Sequence, residues 1–285
     1  MTFSIVARSS DGESWGVAVA SKFFSVGSVV PAARADAGAI ATQAWANVAY
    51  KDEARAHLNG GASAEAALER LIAVDDGRDH RQVGIVDVDG GSATYTGSEC
   101  LEWAGGVRGD GYAIQGNILT GEEVVAAMQE TFEASDPATP LAERLLAALR
   151  AGDDAGGDAR GRQSAALLVV RDGAGFDGRD DLEMDLRVDD HTTPIDELER
   201  LLGVQRRLHH THVPEAERTP DTPELFSEMD ARAQVLGHRS FAVWVGLNNY
   251  EHLGGDDWTA TRLVETLRAA TPDWQPGVSA PPRRG

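Results

Sequence analysis

The chain has 285 residues, 42% of them hydrophobic, enough for one large domain with a modest appendage and too apolar for a disordered polymer. Forty-six acidic residues against 26 basic ones give a formal charge of −20, the opposite of what nucleic acid or an anionic membrane surface selects. No run approaches the ~20 apolar residues of a membrane helix, and MTFSIVARSSDGESWG has no basic start, apolar run and cleavage site of a signal peptide. The lone Cys100 can form no internal disulfide, so a cytoplasmic location is expected, with Cys100 as a small packing residue. Lys22 and Lys51 are the only lysines. Such an acid excess with so little lysine suits a chain kept soluble in concentrated salt, and a halophilic source is expected.

In chain order, Thr2–Ala7 alternates like a strand, and Trp15–Ala20 reads as its hairpin partner across the Ser9–Gly12 turn. Short strands are expected at Val26–Val30 and Gly38–Thr42, with Gly27 and Pro31 arguing against a helix there. Lys51–Leu58 reads as a helix, and Ser63 caps a second with Leu68, Leu71 and Ile72 on one face. Strands follow at Gln82–Val88, Ser92–Thr96 and Tyr112–Gln115, while Gly105, Gly106, Gly109 and Gly111 read as turn glycines. Thr120 and Glu123 have capping-box spacing ahead of a helix through Phe132. Thr139-Pro140 opens another, with Leu141, Leu145, Leu146 and Leu149 inward. Ala165–Val170 reads as a buried central strand and Leu182–Val188 as a half-exposed one, before a helix from Thr193-Pro194 to about Leu208.

The texture then changes. Residues 1–208 read as the main domain, 209–223 as a His- and Pro-rich linker, and 224–285 as a small appendage and tail. Within the appendage, Leu225–Leu236 and Trp258–Leu267 look helical, and Phe241–Val245 is an apolar patch. Strands and helices in this order specify a layered α+β protein.

Methionine aminopeptidase removes Met1 before a small residue, which would leave Thr2 as the N-terminus. Its hydroxyl and its α-amine, with a pKa near ~7.7, could then serve as nucleophile and base on one residue. The stretch from Met1 to Asn47, together with TYTGSECLEWAG, QGNILTG, GGDARGRQSAALLVV and DLRVDDHTTPIDEL, resembles the domain-of-unknown-function family 1028, grouped with the N-terminal-nucleophile (Ntn) hydrolases. The resemblance covers roughly residues 1–205. It implies a four-layer αββα sandwich with the N-terminal residue at the end of its first strand. The C-terminal part is similar to an extra segment that some members carry, sometimes described as peptidoglycan-binding-like.

The expected reaction is cleavage of an amide in a small acylamide or peptide through Thr2. The alternative is a catalytically silent Ntn-fold protein that binds a small metabolite or a protein partner. Asn117 is the candidate oxyanion donor; Ser21 could relay a proton to Thr2, as could Ser25. Gln43 and Asn47, after a short strand, could bind substrate amides, and Arg160 could hold a substrate carboxylate bidentately. Proteasome-like Ntn enzymes keep a lysine beside the threonine; AGAIATQ has none, so either the α-amine works alone or turnover is weak or absent. Asp189-Asp190-His191 and His209-His210-Thr211-His212 lack a recognised zinc spacing and read as solvated loops. No metal or cofactor is expected. The expected partners are the amide substrate and, compatibly with the sequence, further copies of the chain.

Overall fold

Thr2–Arg8 forms strand β1, inside a six-stranded antiparallel sheet, and every side chain from Thr2 to Ala7 is buried. Its neighbours are β2 (Ser14–Ser21) and β8 (Tyr112–Asn117). Beyond them lie β9 (Ser164–Arg171) with β10 (Leu182–Val188) on one side, and β7 (Gly105–Gly109) on the other. A second antiparallel sheet has the order β3 (Pro31–Arg34), β4 (Gly38–Ala44), β5 (Arg81–Asp87), β6 (Ser92–Thr96). The computed structural model describes residues 2–175, 178–209 and 213–276, with the backbone alone at 207–209. It divides into two compact units between Leu201 and Leu202. This is a mixed α+β chain with antiparallel sheets.

Alternation along the strands sorts the side chains of the first unit. Val6, Val17, Val19, Ala39, Ala41, Val86 and Ala113 form one apolar cluster between the two sheets. On its other face the four-stranded sheet packs Ile40, Val83 and Ile85 against helices α2 (Tyr50–Asn59) and α3 (Ala64–Ala73), through Tyr50, Leu58, Leu68 and Leu71. Helices α4 (Glu123–Ala134) and α5 (Leu141–Asp154) contact the strands of the six-stranded sheet, burying Met128, Leu145 and Leu149. Burying a Leu or Ile side chain removes enough apolar surface to contribute roughly 1.5–3 kcal/mol.

The Ser63 cap forms, its hydroxyl accepting from the Ala66 N–H. Three expectations fail locally. Val26–Val30 is not a strand: Val26–Val29 makes one turn of helix, α1, and the next strand starts at Pro31. Gly27 acts there by close approach, since a Cβ on it would lie 2.6 Å from the Ala166 Cβ on β9. The Val26 N–H donates to Ser164 Oγ, which replaces a local cap. Gly105–Gly109 is not a turn but the edge strand β7, held by its ladder to β8 rather than by its own side chains. Thr120 is not the cap of α4, which begins at Glu123 behind Glu122; the Thr120 N–H donates instead to Gly157 O.

Helix α6 (Pro194–His209) crosses the boundary between the units. In the second unit, β11 (Arg218–Pro220) lies within the stretch expected as a linker and pairs with β12 (Trp258–Ala260). Trp258–Leu267 is therefore not one helix but β12 followed by α9 (Thr261–Ala270). Arg218 stacks on Trp258 at 4.4 Å. Helices α7 (Pro223–Val235) and α8 (Phe241–Leu247) complete a small core around Met229, Phe241, Trp244, Leu263 and Leu267. No described helix is long and apolar enough to cross a membrane.

Candidate functional site

Followed toward one end of the first unit, the positions facing between the sheets turn from apolar to polar. Val6 gives way to Ser4 and Thr2, Val19 to Ser21, Ala113 to Gln115 and Asn117, and Ala41 to Gln43. On β5 the same face carries Val86, Gly84 and Gln82. Register aligns these residues: Thr2 pairs with Asn117, Ser4 with Gln115, and Gln43 with Gln82.

Their side chains form one buried network. Ser4 Oγ donates to Gln43 Oε1 at 2.7 Å, and Gln115 Nε2 donates to Ser4 Oγ at 2.7 Å. Gln43 Nε2 donates to Gln82 Oε1 at 2.8 Å and to the carbonyls of Thr2 and Gln115, both at 3.3 Å. Gln82 Nε2 donates to Gly116 O at 2.7 Å and to Thr96 Oγ1 at 2.9 Å. Asn117 Nδ2 donates to Gln82 Oε1 at 2.9 Å. Thr2 Oγ1 and Ser21 Oγ lie 3.1 Å apart, either one able to donate. Because an orphaned buried polar group costs ~1–3 kcal/mol, a network satisfied this fully fixes its members in place.

Asn117 carries the network into a cleft of about 740 Å³, lined also by Ala44, Trp45, Arg81, Leu101, Ile118 and Arg160. Thr2, 6% exposed, is the strand partner of that cleft residue. Ala44 and Ile118 hold left-handed backbone, at φ of 66° and 52°. For Ile, β-branched, that conformation is strained, and such strain collects at working sites. The segment after β8 is pinned by Leu101 O to the Ile118 N–H, and by the Ala159 N–H to Ile118 O, which brings Arg160 beside Asn117.

Two arginines on the cleft wall are fixed by acids. Arg160 reaches Asp158 through Nε at 3.4 Å and Nη2 at 3.3 Å, and Asp158 also accepts the Lys22 N–H at 2.7 Å. Arg81 Nε meets Asp75 at 2.9 Å, and its Nη1 donates to Trp45 O at 2.6 Å. Asp75 accepts as well from Tyr50 Oη, the Gly77 N–H and Asn47 Nδ2. The Arg81 guanidinium and then these donors hold the Asp75 carboxyl well below the usual carboxylate range, against its burial. Burial, and then Asp75 itself, pushes the Tyr50 hydroxyl up. Burial also pushes up the Cys100 thiol, which lines the cleft and donates to Arg81 O.

Thr2, Ser21, Gln43 and Asn117 are thus brought together, and Arg160 lines the same cleft as Asn117. Gln43 lies within β4 rather than after it, and both ends of its amide are engaged by protein. Ser25 is elsewhere, donating to Asp189 Oδ1 at 2.7 Å. Asn47 is tied to Asp75, behind Arg81. Asp190 accepts from Gln163, and His191 Nδ1 accepts from the Thr193 N–H, local roles for that acidic loop. Of His209–His212, all but the backbone of His209 falls outside the described residues. Among the described residues no group of three or more His, Cys, Asp or Glu is placed to hold a metal. Sequence reasoning passed over Ser4, Gln82, Gln115, Arg81 and Asp75. The signal for the first three was present, as polar residues in phase with an otherwise apolar strand face.

An α+β chain with two facing antiparallel sheets, and a polar network at one end of the space between them, defines the class to which this site belongs. Residues 2–198 match DUF1028, a family of unknown function, and the chain belongs to that family. It is also similar to the crystal structure of a Silicibacter pomeroyi protein assigned to the same family. The two share 34% identity with a TM-score of 0.65, over 72% of this chain and 89% of the other. No curated protein matches the chain.

Proposed function

We propose that the first unit is a four-layer αββα sandwich of the Ntn-hydrolase type and that it cleaves an amide bond through Thr2. The observation that carries this reading is the junction of Thr2, Ser21 and Asn117 at a cleft: a hydroxyl 3.1 Å from a second hydroxyl, on the residue paired with a cleft-lining amide. With Met1 removed, the α-amine takes the Thr2 proton, with Ser21 as relay, while Oγ1 attacks the substrate carbonyl carbon. An amide nitrogen carries two hydrogens, so Asn117 Nδ2 can hold Gln82 with one and the oxyanion with the other. The C–N bond then breaks, the leaving amine takes the proton, and an acyl ester remains on Thr2. Water hydrolyses the ester, gives its proton to the α-amine and restores the hydroxyl. No lysine lies in residues 37–43, so the α-amine is the base of this scheme.

Intact mass tests the first requirement: the mature chain should lack one methionine. A β-lactone should label Thr2 alone, Thr2→Ser should keep part of the amidase activity, and Thr2→Ala should abolish it while melting normally. A retained Met1 would overturn the reading. A processed chain that no electrophile labels and no amide panel engages would leave the same fold as a binding protein without turnover.

A further inference from the structure

We infer that the cleft takes an amide whose leaving half carries a carboxylate beside a bulky apolar group, as in an N-acylated amino acid or a short peptide with an apolar C-terminal residue. The inference rests on the amidase reading for the bond that is cut, and on the cleft alone for what is bound. In a chain of net charge −20, this wall carries two guanidinium groups, Arg81 and Arg160, each held by an acid behind it, and the single acid Glu99. Arg160 is 45% exposed on its side chain, whereas its anchor Asp158 is 3% exposed and locked by the Lys22 N–H. Its guanidinium is therefore aimed by a buried carboxylate, through Nε and Nη2, while reaching the cleft, which suits charge-assisted capture of a substrate carboxylate. Lys22 directly follows Ser21, whose hydroxyl meets Thr2, so the anion-holding arginine and the nucleophile share one short stretch of structure.

The apolar half is equally specific. Trp45 and Leu101 line the same cleft at 77% and 67% exposure, large apolar surface of a kind that marks binding sites. Both stand on fixed backbone: the Trp45 N–H donates to His80 O and its carbonyl accepts from Arg81, while Leu101 O accepts from the Ile118 N–H. A side chain exposed on pinned backbone is ready to cover an apolar ligand group with little ordering cost. A cleft of about 740 Å³ admits such a molecule whole.

The experiment uses the full Thr2→Ala chain, in which nothing turns over, and calorimetry with N-acetyl-L-phenylalanine and its C-terminal carboxamide. The carboxylate should bind at least tenfold more tightly, the effect of about one charge-assisted hydrogen bond. Arg160→Gln should erase the difference and Arg160→Lys should restore part of it, which separates recognition from misfolding. Trp45→Ala should weaken both ligands by a similar factor. Equal affinity for the two, binding of neither, or a preference that survives Arg160→Gln would overturn the inference. Turnover by the wild-type chain is read separately, so either proposal can fail without the other.

Discussion

Asn117 carries two amide hydrogens, and Gln82 Oε1 accepts one of them while also accepting from Gln43. That sharing separates function from stability at this residue. In Asn117→Ala, Gln82 Oε1 keeps the Gln43 bond, so the loss should be about 1 kcal/mol or less. The loss of an oxyanion donor, by contrast, should lower kcat roughly a hundredfold, with KM nearly unchanged. Steady-state kinetics on any amide the wild type cleaves would check it. A raised KM with kcat intact would mean that Asn117 binds substrate rather than the oxyanion. Asp75 offers the opposite case, a carboxylate whose work is holding Arg81. Both side chains of that pair are largely buried, at 11% and 16% exposure, so Asp75→Asn should cost about 3 kcal/mol at pH 7 by leaving Arg81 uncompensated. Asp75 is more acidic folded than unfolded, so its contribution is fully present above the unfolded value of ~3.9 and is lost as pH falls through the depressed folded value. Urea unfolding from pH 7 down to 3 should show the gap between wild type and variant hold to about pH 4 and then shrink. A gap independent of pH would show that charge is not what couples the two.

At the scale of elements, the close approach of the two sheets at Gly84 depends on the absence of a side chain there. Gly84 on β5 faces Gln115 on β8, and a Cβ there would lie 2.1 Å from Gln115 Oε1. Gly84→Ala must displace Gln115, which holds Ser4 Oγ and, through it, Gln43. A cost of about 1–3 kcal/mol is expected, with a melting temperature lower by several degrees. Thermal melting would check it, and an unchanged transition would show that the network repacks without loss. These elements also mark where sequence reading succeeds and stops. Strands β1, β2, β5 and β9 and helices α2 to α6 were legible because their alternation or 3.6-residue periodicity is carried by their own side chains. Strands β7 and β11 were not, since Gly105–Gly109 and Arg218–Pro220 owe their form to partners across the ladder. Nor was α1, whose glycine serves a neighbouring strand and whose first N–H is capped by Ser164 from 138 positions away. In the site, Thr2, Ser21 and Asn117 could be named from type and position. Gln82, Gln115 and Ser4 needed the facing of the two sheets, which no single strand states.

For the whole molecule the governing quantity is a net charge of −20, and two effects of salt oppose one another. Salt weakens attraction within ion pairs, but most of the pairs are partly exposed and each contributes only ~0–1 kcal/mol. They are also in contact: Arg34–Asp181 at 2.9 Å, Arg187–Asp185 at 2.8 Å and Arg268–Glu228 at 2.7 Å. Such separations are no longer than the Debye length of ~3 Å at 1 M salt, so much of the attraction within each pair survives there. Repulsion among the excess acids acts over longer distances, comparable with the ~10 Å screening length at 0.1 M, and is almost fully removed at 1 M. Relief of repulsion should therefore win. The melting temperature should rise by several degrees between 0.05 and 1 M KCl, and charge-neutral osmolytes at the same osmolality should not reproduce the salt dependence. Replacing exposed acids remote from the cleft with their amides should flatten the slope in proportion to the charge removed. A melting temperature that stayed level or fell with KCl would mean that the contact pairs, not the acid excess, set the electrostatic stability of this chain.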